Sequence, residues 1–86
     1  AEIEGRLLEL PEVADAAVIG VADERAGERP KAFIVLKAGA TLDADGVVDA
    51  LRGTLAEYKL PHDVEFRETI PKSASGKILR RELRAP

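Results

Sequence analysis

Eighty-six residues with a hydrophobic fraction of 45% and a charged fraction of 34% make a globular composition at a length that allows one compact core and leaves no room for a second domain. The absence of cysteine excludes a disulfide framework, a thiolate metal site and a cysteine nucleophile, and fits a reducing, cytoplasmic location. Net charge is −3, yet residues 1–71 hold 15 acidic and 8 basic side chains while residues 72–84 hold five basic and one acidic; this positive tail could face nucleic acid, an anionic membrane or one small polyphosphate.

From Ala1 to Leu10, Ile3, Leu7 and Leu10 fall at i, i+4 and i+7 with charged residues between them, which predicts an amphipathic helix closed by Pro11. No Ser, Thr, Asp or Asn stands ahead of it as an N-cap, so the chain is expected to begin inside a larger polypeptide. Ala16 to Val21 and Lys31 to Lys37 are rich in Val, Ile and Ala without polar alternation, as expected of two central strands covered on both faces. The charged connector Ala22 to Pro30 between them predicts the turn of a long hairpin.

Thr41 is the expected N-cap of a second helix, with Asp43 and Asp45 against the positive end of its dipole. Val47, Val48, Leu51 and Leu55 line its apolar stripe, Gly53 inside it is a weak point of about 1 kcal/mol, and Pro61 sets its end near Tyr58. Val64 and Phe66 then alternate with Glu65 and Arg67 as a short edge strand. A loop of small residues, Ile70 to Lys77, leads into a short basic helix whose Ile78, Leu79 and Leu83 dock while Arg80, Arg81 and Arg84 stay in water. The sum is an α+β domain, a small three-stranded sheet with helices packed on it. The longest apolar runs fall well short of the roughly 20 residues of a bilayer span, and no basic-then-apolar leader is present.

The loop before Lys77 fails both tests of a phosphate-cradling P-loop, since Pro71 stands where its first Gly belongs and Ile78 where Ser or Thr should follow the lysine. A self-contained ATPase is not expected. The tail has no interleaved aromatics to stack bases, which argues against nucleic acid. His62 has no second His or Cys near it and reads as a surface residue; Ser73 and Ser75 lack a paired His or a nucleophile elbow. What remains is a lysine at the end of a small, flexible loop, able to enter a cleft formed elsewhere.

That loop, Pro71-Lys72-Ser73-Ala74-Ser75-Gly76-Lys77-Ile78-Leu79-Arg80-Arg81, resembles the C-terminal signature of the adenylate-forming acyl-CoA synthetases. Val18-Ile19-Gly20-Val21 with Asp23-Glu24-Arg25 and Gly27-Glu28, then Lys31 to Leu36, is similar to that family's hairpin, and Tyr58-Lys59-Leu60-Pro61 to its next marker. All four segments keep the family's order and span almost the whole chain. The resemblance implies that residues 1–86 are the mobile C-terminal domain of a larger enzyme, inactive alone, whose N-terminal domain precedes Ala1 and holds ATP, the carboxylic acid and Mg2+.

It further implies an AMP-forming acid–thiol ligase in which Lys77 serves acyl-adenylate formation, after which the domain rotates to support thioester formation with CoA. Arg25 in the hairpin loop, Arg52, Tyr58 and Lys59 are then the expected CoA contacts, Arg52 through a phosphate and Tyr58 by stacking on adenine. Implied partners are the enzyme's own N-terminal domain and a lysine acetyltransferase or deacetylase acting on Lys77. The alternatives are an adenylating enzyme that loads a carrier protein, and a non-catalytic interaction module of the same fold. The wording Ile-Pro-Lys-Ser-Ala-Ser-Gly-Lys looks more like the CoA synthetases.

Overall fold

Side chains alternate faces along a strand, so a strand apolar on both faces needs a cover on both. The computed structural model describes residues 2–25, 27–56 and 59–84, and it meets this need. Strand β1 (Val13–Asp23) pairs antiparallel with β2 (Gly27–Leu36), and β3 (Asp63–Phe66) adds to β2 in parallel, giving the order β1-β2-β3. Helices α1 (Glu2–Leu8) and α2 (Ala44–Leu51) lie toward one face and α3 (Arg80–Arg84) toward the other. The parallel pairing of β3 requires a crossover from β2, and α2 supplies it.

The residues divide as the period of two dictates. Ala16, Ala32 and Ile34 point to the first face, where they meet Leu7 of α1, Val47 and Leu51 of α2, and Leu60. Ala17, Ile19 and Phe33 point to the second, where Ile70 and Leu83 cover them. Leu7, Phe33, Ile34 and Leu51 are all but fully buried, each contributing about 1.5–3 kcal/mol through removal of apolar surface from water.

Several boundaries move from the sequence reading, each for a local reason. Both hairpin strands run deep into the charged connector, to Asp23 and from Gly27, because ladder pairing continues as far as Asp23 opposite Gly27. Only β2 is central; β1 is an edge of the sheet. The N-cap of α2 is Asp43, not Thr41, its Oδ1 accepting the Gly46 N–H at 2.7 Å. That helix stops at Leu51, and Gly53 is no internal weak point: it lies beyond the Arg52 cap at φ +87°, the left-handed conformation that ends helices. Phe66 remains 39% exposed, so the alternation in β3 buries Val64 more than its aromatic neighbour. The last helix begins only at Arg80, not at Ile78.

Candidate functional site

Where the run of small residues predicts a flexible loop, the chain makes a hydrogen-bonded turn. Lys72 and Ile78 face each other as an antiparallel bridge. Inside it the Ser73 N–H donates to Lys77 O at 2.8 Å and the Gly76 N–H to Ser73 O at 2.9 Å. Outside it the Leu79 N–H closes onto Pro71 O at 2.9 Å. The Ser73 hydroxyl accepts the Lys77 N–H at 3.2 Å and lies 3.0 Å from the Ser75 hydroxyl, a local side-chain bond of the kind serine offers in turns. Gly76 sits at φ +88°, a conformation that costs an L-residue roughly 1–2 kcal/mol, and glycine is what allows the tight return before Lys77.

The turn is also fastened to the body at both feet. Lys72 Nζ pairs with Asp15 Oδ2 at 2.6 Å at the entry. At the exit Arg80 Nη2 pairs with Glu4 Oε2 at 2.6 Å, and Arg80 Nε donates to Val18 O at 3.1 Å. Arg80 is therefore half-buried against the body, not wholly in water, while Arg81 and Arg84 are exposed. The same Glu4 oxygen accepts the Val18 N–H at 2.8 Å. Burial works to raise the Glu4 carboxyl, but the Val18 N–H and the Arg80 guanidinium outweigh it and hold the group below its ordinary 4.5.

Lys77 itself is exposed, and among the described residues no carboxylate or other acceptor engages its ammonium, while Lys72 and Arg80 on either side are paired. The lysine lines none of the main depressions of the surface. One of them, about 720 Å³, lies over Phe33 on the second face, with Lys31 and Arg67 above the ring at 5.0 and 5.7 Å. The site is thus a cation on a protrusion, suited to an anion that another surface holds.

The other predicted site residues are not gathered around it. Arg25 is exposed in the hairpin turn, its N–H 3.4 Å from Asp23 Oδ1. Arg52 caps α2 and its guanidinium pairs with Asp49 at 3.1 Å. Lys59 pairs with Glu2 of α1 at 2.7 Å and, chiefly through that hydrogen bond, lowers the Glu2 carboxyl below its ordinary 4.5. Tyr58 lies outside the described residues. No three His, Cys, Asp or Glu side chains converge on a possible metal among the described residues. Glu4, Asp15 and Ser73 brace the turn in ways that sequence reasoning did not single out; only Ser73 carried a local signal, a serine opening a Ser-Ala-Ser-Gly turn.

Comparison with known proteins places this arrangement. The model of the AMP-binding enzyme C-terminal domain matches residues 2–77, a stretch that holds the hairpin, both braces' acidic partners and the lysine turn. The chain belongs to that family. Relatives of the AMP-binding enzyme C-terminal domain in this chain include 4-coumarate–CoA ligase 1 of Solanum tuberosum, 48% identical over 99% of this chain and 16% of the relative. A CoA ligase of Rhodococcus jostii for a methyl-dioxo-octahydroindenyl propanoyl group is 45% identical over 98% of this chain and 16% of the relative. Among solved structures, apo MatB from Rhodopseudomonas palustris superposes with a TM-score of 0.90 at 38% identity, over 96% of this chain and 16% of that one. The amide bond synthetase McbA from Marinactinospora thermotolerans gives 0.90 at 35%, over 96% of this chain and 17% of that one. The chain thus spans about 16% of the length of the curated relatives it matches, and both its three-stranded fold and its family are those of adenylate-forming ligases.

Proposed function

We propose that the chain is the C-terminal domain of an ATP-dependent carboxylic acid–CoA ligase and that Lys77 is its contribution to acyl-adenylate formation. One observation carries the reading: Lys77 presents an ammonium unengaged by any described residue, on the return leg of a turn braced on both sides. In adenylation a carboxylate oxygen attacks the α-phosphorus of ATP and pyrophosphate leaves. Two anions must meet, and a fixed cation between them lowers their repulsion and stabilises the charge of the in-line transition state. Lys77 acts there as an electrostatic clamp and forms no covalent bond. ATP and the acid are held by an N-terminal domain of the same polypeptide, and the reaction belongs to the cytoplasm.

After adenylation the domain rotates and a different face meets CoA. Its hairpin turn with Arg25, the α2 end with Arg52, and the Tyr58-Lys59 segment are the contacts for the nucleotide half of CoA. Arg52 and Lys59 would have to exchange Asp49 and Glu2 for phosphate, a trade between anions that costs little at an exposed site.

The test uses the full-length polypeptide and acid-dependent pyrophosphate exchange, with 4-coumarate, the acid in the name of its Solanum tuberosum relative, tried first and other aromatic and aliphatic acids after it. Lys77→Ala is expected to slow exchange by about 10²–10³-fold; exchange at the parental rate would end the clamp assignment. Supplying CoA, a carrier protein or an amine as acceptor then separates the ligase from its alternatives, the amine because McbA makes amide bonds. Arg52→Ala is expected to raise KM for CoA and leave exchange alone.

A further inference from the structure

Val18 is the point on β1 where three parts of the chain meet. Its backbone groups face away from β2, off the edge of the sheet, and both are taken by side chains: the N–H by Glu4 Oε2 at 2.8 Å, the C=O by Arg80 Nε at 3.1 Å. Those two side chains are joined by a 2.6 Å charge-assisted hydrogen bond. A guanidinium is planar, and its Nε and Nη2 donors are held in one rigid fork. Engaging both at once fixes the position and orientation of the guanidinium, and the side chain then limits where the Arg80 backbone can lie relative to β1. Arg80 is three residues past Lys77, and the Leu79–Pro71 bond ties that backbone to the other leg of the turn.

Resting on the reading of Lys77 given above, we propose that Arg80 and Glu4 are positioning residues for adenylation: their forked grip on Val18 makes the lysine turn part of the rigid sheet, so Lys77 is aimed by the domain as a whole. Neither residue touches the substrates. The Lys72–Asp15 pair, 27–39% exposed, secures the entry leg, but a single ammonium contact sets a distance without setting an angle. Glu4, with 13% of its side chain exposed against 41% for Arg80, is the more buried half of the joint and has the larger consequence when removed.

A misplacement of about 1 Å at a reacting group can cost around 10²-fold in rate, and a residue that works only through Lys77 cannot cost more than Lys77 itself. In the full-length polypeptide, with the acid that supports exchange, Arg80→Ala is therefore expected to lower kcat of adenylation by about 10- to 10²-fold with KM for ATP and for the acid unchanged. Formation of the thioester from supplied acyl-adenylate and CoA, which does not use Lys77, keeps its rate. Arg80→Lys retains the charge opposite Glu4 but loses the fork, and falls between Arg80→Ala and the parent; Glu4→Gln does likewise.

The decisive measurement is the double variant. If Arg80 acts through Lys77, adding Arg80→Ala to Lys77→Ala slows adenylation no further. An equal loss in both backgrounds overturns the proposal, as does a parental rate in Arg80→Ala. Should Arg80→Ala not fold, Arg80→Lys and Glu4→Gln decide, and a matching loss of adenylation and thioester formation in both also overturns it. Parental adenylation by Lys77→Ala alone ends the reading of the lysine instead, so the two failures are told apart.

Discussion

Two turns project from this sheet, and they are built differently. The turn between β1 and β2 carries Glu24 and Arg25 in solvent; ladder pairing closes it at Asp23 and Gly27, Arg29 Nη1 donates to Ala22 O at 3.0 Å behind it, and Arg25 itself is tied through its backbone, its N–H 3.4 Å from Asp23 Oδ1. The Lys77 turn is closed by backbone bonds of 2.8 and 2.9 Å, by the Ser73 hydroxyl, and by ion pairs at both ends. Long side chains reaching into solvent from a turn suit contact with a ligand whose position varies. A single charge that must meet a reacting phosphorus suits a fixed mount, because the benefit of a preorganised dipole or charge lies in not having to order it at the moment of reaction.

If that contrast is right, the largest effect comes from removing the charge and leaving the mount. Homogeneous acetylation of Lys77 in the full-length polypeptide eliminates its cation, and pyrophosphate exchange is expected to fall by about 10²–10³-fold while thioester formation from supplied acyl-adenylate continues. Full exchange activity in the acetylated protein would break the comparison, and an acetyltransferase acting here would be a switch on the first half-reaction only.

A smaller effect comes from deforming the mount and leaving the charge. An added Cβ at Gly76 meets no atom within 4 Å, so Gly76→Ala isolates the strain of φ +88°, about 1–2 kcal/mol. Relaxing that strain shifts Lys77, and adenylation should slow by about tenfold with Lys77 intact, a figure set by the same strain. Stopped-flow adenylation assays check this; an unchanged rate would show that the turn need not hold its shape.

The mildest test is acid. Because the folded Glu4 carboxyl is held below its ordinary 4.5, its contribution to stability is complete above that value and is lost as pH falls through the lower folded value. Glu4→Gln is expected to flatten the decline of stability below 4.5, read from urea midpoints at a series of pH values.

Most of the framework was legible in the sequence, since local periodicity encodes it. The spacing of Ile3, Leu7 and Leu10 located α1, and the unbroken apolar runs around Val18 and Ile34 announced strands covered on two sides. The missed caps were local competitions that pattern alone does not resolve: Thr41 and Asp43 are both good N-caps, and the backbone geometry of Asp43 decides between them. Gly53 looked like a flaw within a helix because the apolar stripe continues to Leu55, yet Leu55 reaches the core from beyond the helix end. The braces of the candidate site were invisible for a different reason. Glu4 and Arg80 are 76 residues apart, each sits in a run of ordinary surface charges, and nothing in either run distinguishes a half-buried pair from a solvated one.

The occupied Val18 peptide has a further consequence for how such a domain survives in a crowded solution. The outer edge of a sheet is a template on which another extended chain can assemble, and proteins guard it with charges, bulges or covers. Here the guard is chemical: the donor and the acceptor at the middle of β1 are both saturated by ionised side chains, and the register shift between Val13 and Asp15 interrupts the same edge farther back. An intruding strand would have to evict a carboxylate and a guanidinium together, so the residues that steady the lysine also keep the sheet from recruiting stray polypeptide.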